Sequence, residues 1–246
     1  MTRIAVLADI HGNADALAAV LADIETQGIT RMVNLGDCFS GPLAPAETWD
    51  MLAARPMPTV RGNHDRFLIE QTPERMGRSD LAAHEDLPGA ALEWLRGLPP
   101  VLEMDDLFLC HAVPGDDLTY WLDRVTPEGH VALRGAGEVA ELAGGVTRPV
   151  ILCGHTHVPR LVRLASGQMV LNPGSVGCPA YSDTLPVPHR VEMASPEARY
   201  AILDPAPGGY AVSFRALPYD PARMAARARA RGREDWAQAV LTGRVG

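Results

Sequence analysis

Five times along the chain, a short apolar run stops at a polar motif made of aspartate, histidine, asparagine and glycine. Arg3 to Ala8 runs into Asp9-Ile10-His11-Gly12-Asn13, Arg31 to Leu35 into Gly36-Asp37, and Pro58 to Val60 into Gly62-Asn63-His64-Asp65. Leu107 to Cys110 ends at His111, and Pro149 to Cys153 at Gly154-His155-Thr156-His157. Apolar runs of this length read as buried strands. Leu17, Val20, Leu21 and Ile24 recur at helical spacing after the first motif, with Gly28 as the stop, and a second helix covers about Ala46 to Ala54. Strands alternating with helices make βαβ units, and such sheets bind ligands in the crevice beyond the carboxyl ends of their strands. The expected class is α/β, with the motifs gathered at that edge.

A chain of 246 residues, 47% hydrophobic and 21% charged, fits one domain, 1–246. Residues 66–100 are helical and loop-like, punctuated by Pro73, Pro88 and Pro99-Pro100, and could form a partial lid. Ala132 to Leu142 reads as a helix. Arg160 to Leu164, Gln168 to Leu171, Tyr200 to Leu203 and Tyr210 to Ala216 read as strands, with a proline-rich excursion from Pro179 to Glu197. A final helix is expected over 221–241. No apolar run is long enough to span a bilayer, and Met1 to Asp9 reads as a first strand rather than a signal peptide, so the expected location is cytoplasmic.

The formal net charge of −8 argues against a general nucleic-acid surface. Arg223, Arg227, Arg229, Arg231 and Arg233 cluster in the last helix, where the preferred reading is a solvated face over a stripe of Met224, Trp236, Val240 and Leu241. All 22 basic residues are arginine, which excludes Schiff-base chemistry and a P-loop lysine. Cys38, Cys110, Cys153 and Cys178 form no C-x-x-C pair and read as small buried side chains.

Two divalent cations about 3.5–4 Å apart need several hard or borderline ligands and one carboxylate between them. Asp9, His11, Asp37, Asn63, His111, His155 and His157 could supply that set. Residues i and i+2 of a strand point to one side, so Asp9 with His11, and His155 with His157, are expected to converge at strand ends. Gly12, Gly36, Gly62 and Gly154 would allow sharp turns and close approach. A mixed N/O set suits Mn²⁺, the working choice, as well as Fe, Zn²⁺, Co²⁺ or Ni²⁺. Each motif alone is weak; their order and spacing carry the signal.

Together these motifs resemble the calcineurin-like metallophosphoesterase superfamily over residues 1 to about 177, and most closely its small bacterial phosphodiesterase-like branch, in which a segment like Asn172-Pro173-Gly174-Ser175 follows Gly-His-Thr-His. The resemblance implies a two-sheet α/β-β-α sandwich. It puts Asp9, His11, Asp37 and His157 on one metal and Asp37, Asn63, His111 and His155 on the other, with Asp37 bridging. It further implies that His64 donates to the leaving oxygen or steadies the transition state, with Asp65 orienting its imidazole. The expected reaction is in-line attack by a metal-bridging hydroxide, with no phosphoenzyme. Asn13 reads equally as a substrate contact or a helix N-cap, and Arg66 as a phosphate ligand or a solvated arginine.

Protein phosphatases of the superfamily carry an arginine soon after Gly-Asp and a glutamate after Gly-Asn-His. Here Cys38-Phe39-Ser40-Gly41 and Asp65 stand in those places. A small-molecule or nucleotide phosphodiester is therefore the favoured substrate, with a phosphomonoester as the alternative. A metal-poor scaffold that binds a protein partner is the remaining reading, and the complete ligand set argues against it. The sequence is compatible with a homo-oligomer and does not specify one.

Overall fold

In the computed structural model, which describes residues 2–246, alternate side chains of the first strand enter different hydrophobic layers. Strand β1 (Ile4–Leu7) sends Ile4 and Val6 toward Leu107, Leu109, Leu152 and Leu171, and Ala5 and Leu7 toward Leu17, Val20 and Leu21. The period of two thus buries one strand on both faces, as expected where sheets and helices stack in layers. Each such side chain contributes about 1.5–3 kcal/mol on burial.

The chain continues through α1 (Ala14–Thr26), β2 (Arg31–Asn34), α2 (Pro45–Ala53), α3 (Asn63–Glu70), α4 (Arg78–Asp86) and α5 (Gly89–Gly97). Next come β3 (Val101–Met104), β4 (Leu107–Cys110), β5 (Asp123–Val125), β6 (Val131–Leu133), α6 (Ala136–Leu142), β7 (Val150–Leu152), β8 (Arg160–Arg163) and β9 (Met169–Asn172). Last are β10 (Ala180–Asp183), β11 (His189–Glu192), β12 (Ala198–Ala206), β13 (Gly209–Leu217), α7 (Ala222–Ala230) and α8 (Glu234–Thr242). One mixed sheet runs β13-β12-β1-β2 and the other β3-β4-β7-β9-β8. In the second sheet β4, β7 and β9 are parallel, while β3 and β8 pair antiparallel at its edges. Phe108, Cys110, Ile151 and Val170 face outward onto Val139 of α6. The fold is a two-sheet sandwich with helices on both outer faces.

Several expectations needed correction. Pro58 to Val60 makes only a single parallel bridge, Asn34 to Thr59, because Pro56 and Pro58 deny a ladder their N–H donors. The helix expected from Ala132 begins at Ala136, after β6 has paired with β5. The proline-rich excursion holds the β10–β11 hairpin, whose prolines Pro186 and Pro188 lie in the turn. The terminal helix is two helices, broken where Gly232 adopts φ 67°. Segment 66–100 is rooted in the core through Leu68, Ala83, Ala91 and Leu95, and only its Phe67 and Ser79 reach the cavity described below.

Candidate metal centre

Every candidate ligand follows the carboxyl end of a strand or begins a helix, but strand alternation is not what aims them. Asp9, His11, Asp37, His155 and His157 all lie beyond their strands with left-handed backbone, at φ 55°, 51°, 55°, 71° and 60°. That conformation costs an L-residue on the order of 1–2 kcal/mol. Interlocking backbone hydrogen bonds hold it: Asp9 N donates to Gly36 O, His11 N to Asp37 O and Gly12 N to Cys38 O, each at 3.0 Å. The turns pack so closely that a Cβ on Gly62 would lie 2.2 Å from Asp37 Oδ1. The strand-end motifs thus code for chained tight turns.

These turns gather the candidate ligands into two groups, Asp9 with His11 and His157, all buried, and Asp37 with His111 and His155, of which His155 is partly exposed. Within each group the ligand atoms lie within 4.8 Å of one another. Asp37 Oδ2 is 3.3 Å from His111 Nε2 and 3.9 Å from His11 Nε2, so one carboxylate faces both groups. Asn63 Oδ1 lies 3.0 Å from His111 Nε2 and joins the second group. All seven residues converge.

Each ligand imidazole is also held from behind. His11 Nδ1 meets Ser40 O at 2.8 Å, His111 Nδ1 meets Leu35 O at 2.8 Å, and His157 Nδ1 meets Cys178 O at 2.7 Å. His155 is turned the other way, with Nε2 2.9 Å from Leu118 O. A carbonyl accepts only, so each of these nitrogens carries a proton, and in His11, His155 and His157 the opposite nitrogen presents a lone pair to the centre. His11 Nε2 and His157 Nε2 then stand 3.1 Å apart, lone pair to lone pair. A cation beside both relieves that repulsion, so this donor set fits a metal ion.

Burial pulls His11 and His155 down to about 4 against the attraction of Asp37, and burial together with His11 holds His157 well below the usual range. These three rings are neutral at neutral pH. Burial lowers His111 as well, but Asp37 and Asp9 outweigh it and raise the ring to about 10. Burial pushes Asp9 up to about 8, with His111 opposing and Asp37 adding to the rise. Asp37 is raised by burial, yet His111 and His64 hold it well below the usual carboxylate range.

His64 borders the cavity, and Asp80 Oδ1 lies 2.7 Å from its Nδ1. Burial lowers this ring, but Asp37 and Asp80 outweigh it and raise it to about 9. Asp65 does not touch it, contrary to expectation. It accepts instead from Asp37 N, Cys38 N and Gly62 N at 2.8, 2.9 and 3.1 Å, because the start of α3 points it back at the turn. Asp80 carried no sequence signal, being one acid in a helical segment.

Asn13 is the N-cap of α1, accepting from Ala16 N at 3.1 Å and donating to Gly177 O, so the substrate-contact reading is set aside. Arg66 makes a two-pronged bond to Asp117 at 2.7 Å and does not line the cavity. Asn172 donates to Gly154 O at 2.6 Å, and Ser175 to Asp9 O at 2.7 Å, which gives the Asn-Pro-Gly-Ser segment its role beneath the turns. The C-terminal arginines pair with carboxylates: Arg223 with Asp15 and Glu47, Arg227 with Glu47, Arg229 with Glu234, Arg231 with Glu85, and Arg233 with Asp235. All four cysteines are free and buried.

The groups open into a cavity of about 930 Å³. Its aromatic walls are unanticipated: Tyr181 stands edge-on to His157 at 4.7 Å, Tyr120 to His155 at 5.1 Å, and Trp236 to His11 at 6.0 Å. Among the described residues, no helix is long and apolar enough to cross a membrane.

A two-sheet sandwich with two carboxylate–imidazole groups at its strand ends defines a metallophosphoesterase class of protein. The chain belongs to the calcineurin-like phosphoesterase superfamily, whose domain model matches residues 2–188. It is similar to a metallophosphoesterase from Sphaerobacter thermophilus, at 25% identity and TM-score 0.77, covering 99% of this chain and all of that one. A hypothetical protein from Pyrococcus horikoshii shares the fold at TM-score 0.78 and 19% identity, each chain being covered in full. A stretch of 64 residues is 41% identical to an uncharacterised protein of Methanocaldococcus jannaschii, and the match spans 26% of this chain and 26% of that relative.

Proposed function

We propose that the chain hydrolyses a phosphodiester of a small molecule or nucleotide, using two divalent cations held across Asp37. The observation that carries the reading is the approach of Asp37 Oδ2 to both His11 and His111. Asp9, His11, Asp37 and His157 would hold one cation, and Asp37, Asn63, His111 and His155 the other. When bound, the cations, with Mn²⁺ as the working choice, acidify water for attack on phosphorus and offset phosphoryl charge.

The side chains supply the rest. Backbone carbonyls of Ser40, Leu35, Cys178 and Leu118 fix the ring nitrogens that carry protons, so no ligand must reorient as substrate enters. His64 lines the cavity, is anchored through Nδ1 by Asp80 and, raised to about 9, carries a second proton at Nε2. As the water oxygen bonds to phosphorus and the ester P–O bond breaks, that proton passes to the departing oxygen, leaving an alcohol and a phosphomonoester. Tyr120, Tyr181 and Trp236 keep bulk water from the imidazoles.

The roomy cavity, and the absence of the protein-phosphatase residues after Asp37 and His64, support a diester over a phosphoprotein. Turnover of bis(p-nitrophenyl) phosphate is compared with that of p-nitrophenyl phosphate in Mn²⁺. Faster cleavage of the diester is expected, and a clear preference for the monoester overturns the choice.

A further inference from the structure

We infer that Arg124 and Arg134 form an anion subsite on the wall of the same cavity, taking a phosphate carried on the organic arm of the substrate. This deepens the phosphoesterase reading and rests on it. Both arginines border the cavity together with His155 and His157. Arg124 stands on β5 and Arg134 directly follows β6, so the hairpin presents both to one side. Arg124 Nη1 lies 3.3 Å and Arg134 Nη1 3.8 Å from the same oxygen, Glu138 Oε1. The other oxygen is engaged, accepting from Gly135 N at 2.9 Å.

One carboxylate therefore faces two guanidinium groups, and the cluster keeps a net positive charge. Pairs that are partly open to solvent, as these are, are weak, so an incoming phosphate competes readily for the arginines. Planar guanidinium forks match phosphate oxygens. Arg134 is braced by a bond from its Nε to Tyr120 O at 3.3 Å, and the Tyr120 ring stands against His155. One aromatic residue thus separates the cluster from the second ligand group.

The cavity's other arginine and its facing acid are already engaged. Arg233 is bound to Asp235, and Asp183 on the β10–β11 hairpin accepts from Thr184 N and Leu185 N of its own turn. Leu118 and Leu185, 52% and 73% exposed, line the same cavity and offer apolar surface to an organic arm. A single phosphoryl group would leave most of this space empty.

Calorimetric titration of the Mn²⁺-loaded protein with thymidine 3′,5′-bisphosphate and thymidine 5′-monophosphate tests the subsite without turnover. The bisphosphate is expected to bind about tenfold more tightly. Replacing both arginines (Arg124→Gln with Arg134→Gln) closes that gap, whereas Glu138→Gln, which keeps an oxygen for Gly135 N–H, widens it. A hairpin that merely needed these residues for its shape would lose affinity in both variants. Equal affinities in the unaltered protein, no binding of either nucleotide, or a gap that survives the double substitution overturns the inference. Failure of the phosphoesterase reading itself shows separately, as no Mn²⁺-dependent turnover of bis(p-nitrophenyl) phosphate.

Discussion

His64 takes its carboxylate partner from Asp80, sixteen residues down the chain on a different helix, and not from the adjoining Asp65. The 2.7 Å contact ties the proposed proton donor to α4, whose neighbouring Ser79 Oγ in turn accepts from Trp236 Nε1 at 3.1 Å. The C-terminal helices are thereby joined to the site.

Asp80→Asn is expected to lower kcat for a phosphodiester about 10- to 100-fold while Mn²⁺ content stays unchanged. Asp80 raises the His64 pKa, so its loss moves the alkaline limb of the pH–rate profile to lower pH. In a His64→Ala background the same change should add little. An unshifted profile would show that Asp80 serves packing alone.

Asp65 is predicted to matter for stability, since its carboxylate accepts three buried backbone N–H groups around the Asp37 turn. Asp65→Asn replaces one acceptor oxygen with an amide and should cost roughly 2–4 kcal/mol in urea unfolding. A loss below about 0.5 kcal/mol, within the range of ordinary surface changes, would contradict this.

Cation binding should expel protons. His111, raised to about 10, and Asp9, raised to about 8, are protonated at pH 7 in the cation-free protein and must be deprotonated to act as ligands. Affinity for Mn²⁺ therefore rises with pH between about 6 and 8, and calorimetry in buffers of different ionisation enthalpy should detect about one to two protons released. A pH-independent affinity with no proton release would rule this out.

The parallel core and the residues that gather at the strand ends were legible because both rest on local pattern. Ile4 to Leu7 and Leu107 to Cys110 are apolar runs with few other readings, and Asp9, Asp37 and His111 follow them at once. The left-handed turns at Asp9, His11, His155 and His157 were hidden, since L-residues enter that region only when distant backbone holds them there. Asp80, Tyr120, Tyr181 and Trp236 reach the site through tertiary packing, and no spacing in the sequence relates them to it. The β10–β11 hairpin was obscured by prolines confined to its turn.

The most direct test of the two-cation centre is metal analysis after reconstitution with Mn²⁺ and removal of excess. The account predicts about two equivalents per unaltered chain, about one for His157→Ala and well under one for Asp37→Ala. Less than one equivalent in the unaltered chain, or an unchanged content in Asp37→Ala, would contradict it.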